Sequence, residues 1–63
     1  MSRFEERYDE LSGILEETKE DLQKFYEKGN KAAGTRARKS MMSLKKLAHE
    51  VRQEIQEIKN EEL

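Results

Sequence analysis

The sequence has no cysteine and no proline, and it contains one histidine and four aromatic residues among 63 positions. Without cysteine there can be no disulfide bond and no thiolate metal site. No apolar run is long enough for a membrane span or a signal peptide, which favours a cytoplasmic location by default. The absence of proline leaves long helices uninterrupted. With 33% apolar and 43% charged residues, the chain can form one small domain only if its apolar side chains are aligned.

The apolar residues are aligned, with the 4–3 spacing of an amphipathic helix that packs against another helix. Gly29-Asn30 separates two such patterns, because glycine favours the backbone conformation that ends a helix and asparagine caps the next one. The sequence therefore predicts an all-α antiparallel helical hairpin, a single domain over residues 1–63 with helix 1 at about 3–28, a turn at 29–30 and helix 2 at about 31–60. The predicted seam consists of Phe4, Tyr8, Leu11, Leu15, Thr18, Leu22 and Phe25 in the first helix, and of Gly34, Ala37, Met41, Leu44, Ala48, Val51, Ile55 and Ile58 in the second.

Folding about the Gly29-Asn30 bond places residues whose numbers add to about 59 at the same level. This register puts Phe25 opposite Gly34, large against small, as dense packing requires. It also brings Arg7 near Glu54 and Glu5 near Arg52. A lone hairpin with one narrow seam buries little apolar surface, and small scaffolds usually need oligomerisation or another stabilising device. We therefore expect a homodimer or a higher even oligomer, with two hairpins forming a four-helix bundle of two-fold symmetry.

Charge is distributed unevenly along the chain although the net charge is −1. Residues 28–49 contain seven Lys or Arg and no Asp or Glu, whereas residues 1–27 contain nine acids and four bases, and residues 50–63 contain five acids and two bases. Several of these cations fall in the first turns of helix 2, where the helix dipole favours acids. Such segregation indicates a surface that binds a polyanion.

The candidate contacts share either a positive charge or a place near the start of helix 2. They are Lys28, Lys31, Gly34, Thr35, Arg36, Arg38, Lys39, Lys45 and Lys46. We expect backbone amides around Gly34 and Thr35 to hold one phosphate, and Arg36 and Arg38 to bind phosphate oxygens through their guanidinium forks. Contacts of this kind predict binding to the phosphates of double-stranded DNA, largely independent of sequence and strongly dependent on salt.

Catalysis has little support in the sequence. His49 is the only histidine, and one His beside a carboxylate does not make a metal site. We expect no enzyme activity, no cofactor, no metal, no small-molecule substrate and no membrane contact. Two alternatives to DNA binding stay open. The hairpin could bind RNA, or it could be a coiled-coil oligomerisation module whose basic end docks an acidic protein.

One segment resembles a known family. The run FYEKGNKAAGTRARK at residues 25–39, with LKKLA at residues 44–48 and the later spacing of Arg52, Ile55 and Lys59, is similar to the N-terminal region of the bacterial linker-histone-like proteins first associated with chlamydiae. The resemblance covers about residues 4–60. It implies a DNA-compacting protein of the nucleoid, with contacts at Lys28, Lys31, Arg36, Arg38 and Lys39. Better-known members continue into a long tail rich in Lys, Ala and Pro.

Overall fold

The fold is a hairpin of two long helices in a computed structural model, which describes residues 2–62. Helix α1 spans Arg3–Lys28 and helix α2 spans Lys31–Glu62. The two helices pack against each other along an elongated body of 50 × 20 × 13 Å. The predicted all-α antiparallel hairpin is confirmed, and α2 continues two residues further than the spacing of its apolar residues suggested.

Local hydrogen bonds explain where the helices begin and end. The Ser2 hydroxyl accepts the Glu5 amide at 3.1 Å, which caps α1. Gly29 has φ of 65°, a left-handed conformation that glycine adopts without steric cost, and its N–H donates to the Phe25 carbonyl. The Asn30 side chain then accepts the Ala33 amide at 3.0 Å and caps α2. A turn of only two residues forces the helices to run antiparallel.

The seam between the helices is narrow and contains small residues. The fully or almost fully buried side chains are Thr18, Ala33, Ala37 and Leu47. The Thr18 hydroxyl donates to the Ile14 carbonyl at 2.6 Å, so this buried polar group is satisfied. Near the turn the Phe25 ring covers Gly34 so closely that a Cβ at position 34 would lie 2.5 Å from a ring carbon. The predicted placement of Phe25 opposite Gly34 is therefore confirmed.

The structure corrects the predicted seam at five positions. Phe4, Tyr8, Leu15 and Ile55 are 73%, 60%, 52% and 53% exposed instead of buried between the helices, and Phe25 is 42% exposed although its ring covers Gly34. The helices are rotated so that a neighbouring column of residues enters the seam in their place, with Leu47 buried and Ile14 partly buried.

Ion pairs fix the rotation at the seam. Arg7 binds Glu54 across it at 2.9 Å, as predicted, and Arg36 binds Asp21 at 3.0 Å. The apolar stripe of each helix is wider than the seam, so not all of it can face the other helix at once. Tyr8 and Leu15 of α1 and Ile55 of α2 are therefore left outside the seam.

The hairpin therefore has two unlike broad sides. One side, here called the apolar face, carries apolar side chains that are exposed or half-buried: Phe4, Tyr8, Leu15, Leu22, Phe25, Met41, Ala48 and Ile55. The opposite side carries Glu10, Glu17, Ser43, Glu50 and Glu57, all exposed. Neither described helix has a stretch long and apolar enough to cross a bilayer.

Candidate nucleic-acid interface

The cations of α2 lie along its outer edge, away from α1. Lys31, Arg38, Lys45, Arg52 and Lys59 are spaced by seven residues and form one column, and Lys39 and Lys46 lie beside it; these seven residues are called the basic edge. All seven are exposed, as is Lys28 at the end of α1. A seven-residue spacing keeps side chains on one side of a helix in a hairpin, so the candidate cations of α2, apart from Arg36, share one surface.

Arg36 differs from the other candidates because it is paired. Its Nε donates to the Asp21 carboxylate at 3.0 Å, and its terminal nitrogen lies 3.0 Å from the same oxygen. Asp21 is only 19% exposed at its side chain, so the carboxylate is held at the margin of the seam. The guanidinium that the sequence suggested as a phosphate contact is therefore already bound to an acid and ties α2 to α1.

The basic edge has no such partners among the side chains that the structure describes. Within residues 2–61 the ion pairs with cations involve Arg7, Lys24 and Arg36. The predicted pair between Glu5 and Arg52 is not formed in that region. Arg52 and Lys59 therefore extend the set of exposed cations beyond the candidates named from the sequence, and their seven-residue spacing is the sequence signal that identifies them.

Gly34 and Thr35 have structural roles at the start of α2. The Gly34 amide donates to the Asn30 carbonyl at 3.1 Å, and the Thr35 hydroxyl donates to the Lys31 carbonyl at 3.2 Å. The expectation that a phosphate binds the Gly34 amide is not supported, because that amide already has an acceptor. α2 begins at Lys31, three residues earlier than a phosphate site at Gly34 would need.

The positions of the cations do not favour the helix that carries them. The first turn of α2 has no acidic residue, although carboxylates are preferred where the helix dipole is positive. Acids are present across the hairpin, however, since Glu20 pairs with Lys24 and Asp21 with Arg36 on the same half of α1. The cations are therefore not gathered at one end: the basic edge runs along α2 and faces the carboxylates Glu20 and Asp21 only across the hairpin, while further carboxylates such as Glu50 and Glu57 lie on α2 itself.

The one resolved pKa effect on a carboxyl lies at the seam between the helices and not on the basic edge. A hydrogen bond from the Arg7 guanidinium lowers the pKa of Glu54, and this outweighs the opposing effect of partial burial. His49 is exposed on α2, and within the described residues no three His, Cys, Asp or Glu side chains are grouped as a metal site would require.

Comparison with known proteins gives one finding. The family model described as Histone H1-like protein Hc1 matches residues 5–61, which include nearly all of both helices, the turn and the whole basic edge. No curated protein and no solved structure matches the chain significantly.

Proposed function

Because the chain belongs to the histone H1-like protein Hc1 family, we propose that it is a non-enzymatic DNA-binding protein that organises the bacterial nucleoid. It binds the phosphates of double-stranded DNA along the basic edge and at the hairpin turn, with little preference for base sequence. The proposed contacts are Lys28, Lys31, Arg38, Lys39, Lys45 and Lys46. We assign none to Arg36, whose guanidinium is bound to Asp21, or to Gly34 and Thr35, whose donors are engaged within the hairpin.

The observation that carries this proposal is a line of exposed cations without carboxylate partners among the described side chains. Stability does not explain the line, because Lys31 and its neighbours oppose the dipole of α2. Positions that break a local rule together are often functional. Side chains spaced by seven residues repeat about every 10.5 Å along a helix, and duplex DNA offers a negative charge about every 1.7 Å of its axis. Because the phosphates repeat in the same way along every duplex, contacts between this line of cations and the phosphates on the facing side do not depend on base sequence.

We further propose that the protein acts as a homodimer or a higher even oligomer. The apolar face leaves Phe4 at 73% exposure and Tyr8 at 60%, which is costly for a protein that remains alone in water. Pairing two hairpins over these faces makes a four-helix bundle. An oligomer presents two or more basic edges, so one particle can contact more than one segment of duplex.

A matched pair of variants tests the proposal. Arg38→Gln removes an unpaired guanidinium, whereas the double variant Asp21→Asn/Arg36→Gln removes a paired one without changing the net charge. We expect Arg38→Gln to weaken binding to a fluorescent duplex of about 20 base pairs by about 5- to 10-fold at ~0.1 M salt. One phosphate contact contributes about 0.9 to the slope of log association constant against log salt concentration, which is about 8-fold in affinity between 1 M and 0.1 M salt. The loss should be equal for unrelated duplex sequences.

Under the same conditions the double variant should bind within about 2-fold of the unmodified chain, since it removes no net charge and no free cation. If the double variant loses as much affinity as Arg38→Gln, the paired and unpaired cations are equivalent and the assignment of the basic edge is wrong. An unlabelled RNA duplex added as competitor reports whether DNA is preferred.

A further inference from the structure

The apolar face has an orientation built into it. Its α1 margin carries three acids, Glu5, Asp9 and Glu16, and one cation, Lys19, so it is acidic on balance, while its α2 margin carries the five cations of the column that starts at Lys31. The surface grooves agree with this placement, since Lys31 and Arg38 line the groove beside Phe25 and Met41, and Lys45 and Arg52 flank Ala48. A second copy of the chain laid on this face would meet one acidic and one basic margin.

Two face-to-face arrangements with two-fold symmetry are possible. If the axis runs across the hairpins, the turns lie at opposite ends and each helix faces its own copy. The basic column of α2 then runs against itself, which sets like charges together along its whole length. If the axis runs along the hairpins, the turns lie together and α1 of each copy faces α2 of the other, so that acidic and basic margins meet.

Side-chain size favours the second arrangement independently of charge. The outward column of α1 is large throughout, with Tyr8, Leu15 and Leu22, whereas that of α2 has the small Ala48 between Met41 and Ile55, and its Gly34 is already covered by Phe25 of the same chain. With the turns together, the large column of α1 lies against the column of α2 that contains Ala48, as dense packing requires. With the turns apart, the two large columns of α1 meet each other, and Ala48 leaves a gap between the two copies of α2.

We infer that a second copy of this chain covers the apolar face with the two hairpin turns at the same end, and that α1 of each copy packs against α2 of the other. The broad side of the hairpin measures 50 × 20 Å. This is enough for the roughly 800 Å² per partner that a stable interface buries. At the level set by the hairpin register, Glu16 lies beside Lys45 of the second copy and Asp9 beside Arg52 of the second copy.

The arrangement divides the basic edge between two tasks, a consequence that rests on the proposed DNA binding. Lys45 and Arg52 lie at the rim of the dimer interface, whereas Lys39 lines neither of the two grooves beside it. The two copies of Lys28 and Lys31 gather at one end of the particle. A polyanion that contacts both turns relieves the repulsion between their cations. By thermodynamic linkage, the polyanion then strengthens dimerisation by the same factor by which dimerisation strengthens polyanion binding.

The distance between the turns tests the arrangement directly and without DNA. The chain has no cysteine, so Ala32→Cys places one spin label on an exposed residue beside the turn. We expect a label-to-label distance below about 30 Å by electron–electron dipolar spectroscopy, because neighbouring helices in a bundle lie about 8–10 Å apart. A distance near the 50 Å length of the hairpin, or a monomeric mass by light scattering, would overturn the inference.

A second pair of variants tests which side is covered. Leu15→Glu and Ser43→Glu each add one carboxylate to an exposed position of opposite broad sides. We expect Leu15→Glu to raise the dimer dissociation constant at least 10-fold and Ser43→Glu to change it less than 2-fold. Equal effects would show that the apolar face is not the interface. Failure of either test leaves DNA affinity to be judged separately by the Arg38 comparison, so the two proposals stand or fall independently.

Discussion

Replacing Gly34 with alanine should destabilise the hairpin relative to the same replacement at Gly13. Both glycines lie inside helices, where alanine is favoured by about 0.8–1 kcal/mol. A Cβ added at Gly13 meets nothing within 4 Å, whereas one added at Gly34 would lie 2.5 and 2.9 Å from two carbons of the Phe25 ring. Both variants therefore gain the helix propensity of alanine, and only Gly34→Ala introduces a clash with the Phe25 ring.

The size of that contact follows from the exposure of Phe25. The ring is 42% exposed, so moving it off Gly34 uncovers on the order of 100 Å², or about 2.5 kcal/mol at ~25 cal/mol per Å². We expect Gly13→Ala to stabilise the hairpin by about 1 kcal/mol. Gly34→Ala should be less favourable than Gly13→Ala by about 1–2.5 kcal/mol, depending on how far the ring is displaced.

Thermal unfolding followed by circular dichroism at one protein concentration measures both effects. In a domain of this size 1 kcal/mol corresponds to about 4–8 °C in Tm. Repeating Gly34→Ala in a Phe25→Ala background removes the clash, so there the substitution should stabilise as Gly13→Ala does. If Gly34→Ala raises Tm as much as Gly13→Ala in the unmodified chain, the ring does not rest on Gly34 and the packing at the turn is misplaced.

Three further outcomes are expected from unfolding experiments. Because Arg7 lowers the pKa of Glu54, the pair stabilises the fold at neutral pH, and this contribution should be lost as the pH falls from the ordinary glutamate range through the lowered pKa; an Arg7→Gln/Glu54→Gln variant with the same acid sensitivity would contradict this. Leu47→Ala should lower the free energy of unfolding by about 2–5 kcal/mol at every protein concentration. The loss of stability from Leu15→Ala should instead grow with protein concentration, because Leu15 lies in the proposed dimer interface. Urea titrations at two protein concentrations distinguish the two variants, and equal behaviour would argue against the assigned seam. Asn30→Ala should cost about 1 kcal/mol by removing the cap of α2, and an unchanged urea midpoint would show that the cap contributes nothing.

The fold was predictable because turn, spacing and composition agree. Gly29-Asn30 determines the chain reversal through local conformation and capping, which need no tertiary information. The pairing of Phe25 with Gly34, and of Arg7 with Glu54, then follows from counting outward from the turn.

The rotation of the helices was not predictable from spacing alone. Apolar residues of α1 occur on both sides of the central seam position Thr18, so the 4–3 pattern can be read with Leu15 inside or with Ile14 inside. The choice depends on contacts between helices, including the Asp21–Arg36 pair, and on which column a second copy covers. The spacing of Leu15 and its neighbours predicts that they are buried, but the apolar stripe of each helix is wider than one helix–helix seam requires.

The sequence predicts which residues of the candidate interface are charged, but not which of them are free to bind a phosphate. Clustering of cations between Lys28 and His49 is visible in the sequence. That Arg36 is bound to Asp21 is not, because the partner lies 15 positions away on the other helix. The engagement of the Gly34 amide likewise depends on where α2 begins, and a helix boundary is uncertain by a residue or more from sequence.

The central claim is that unpaired cations on α2 bind duplex phosphates, and the salt dependence of DNA affinity tests it most directly. The logarithm of the association constant, plotted against the logarithm of salt concentration, should be linear and steep for the unmodified chain. The triple variant Lys31→Gln/Arg38→Gln/Lys39→Gln should be less steep by about 2.7, since each phosphate contact contributes about 0.9, and its Tm should be equal or higher. An unchanged slope in a folded variant, or no binding of the unmodified chain at about 50 mM salt, would contradict the account.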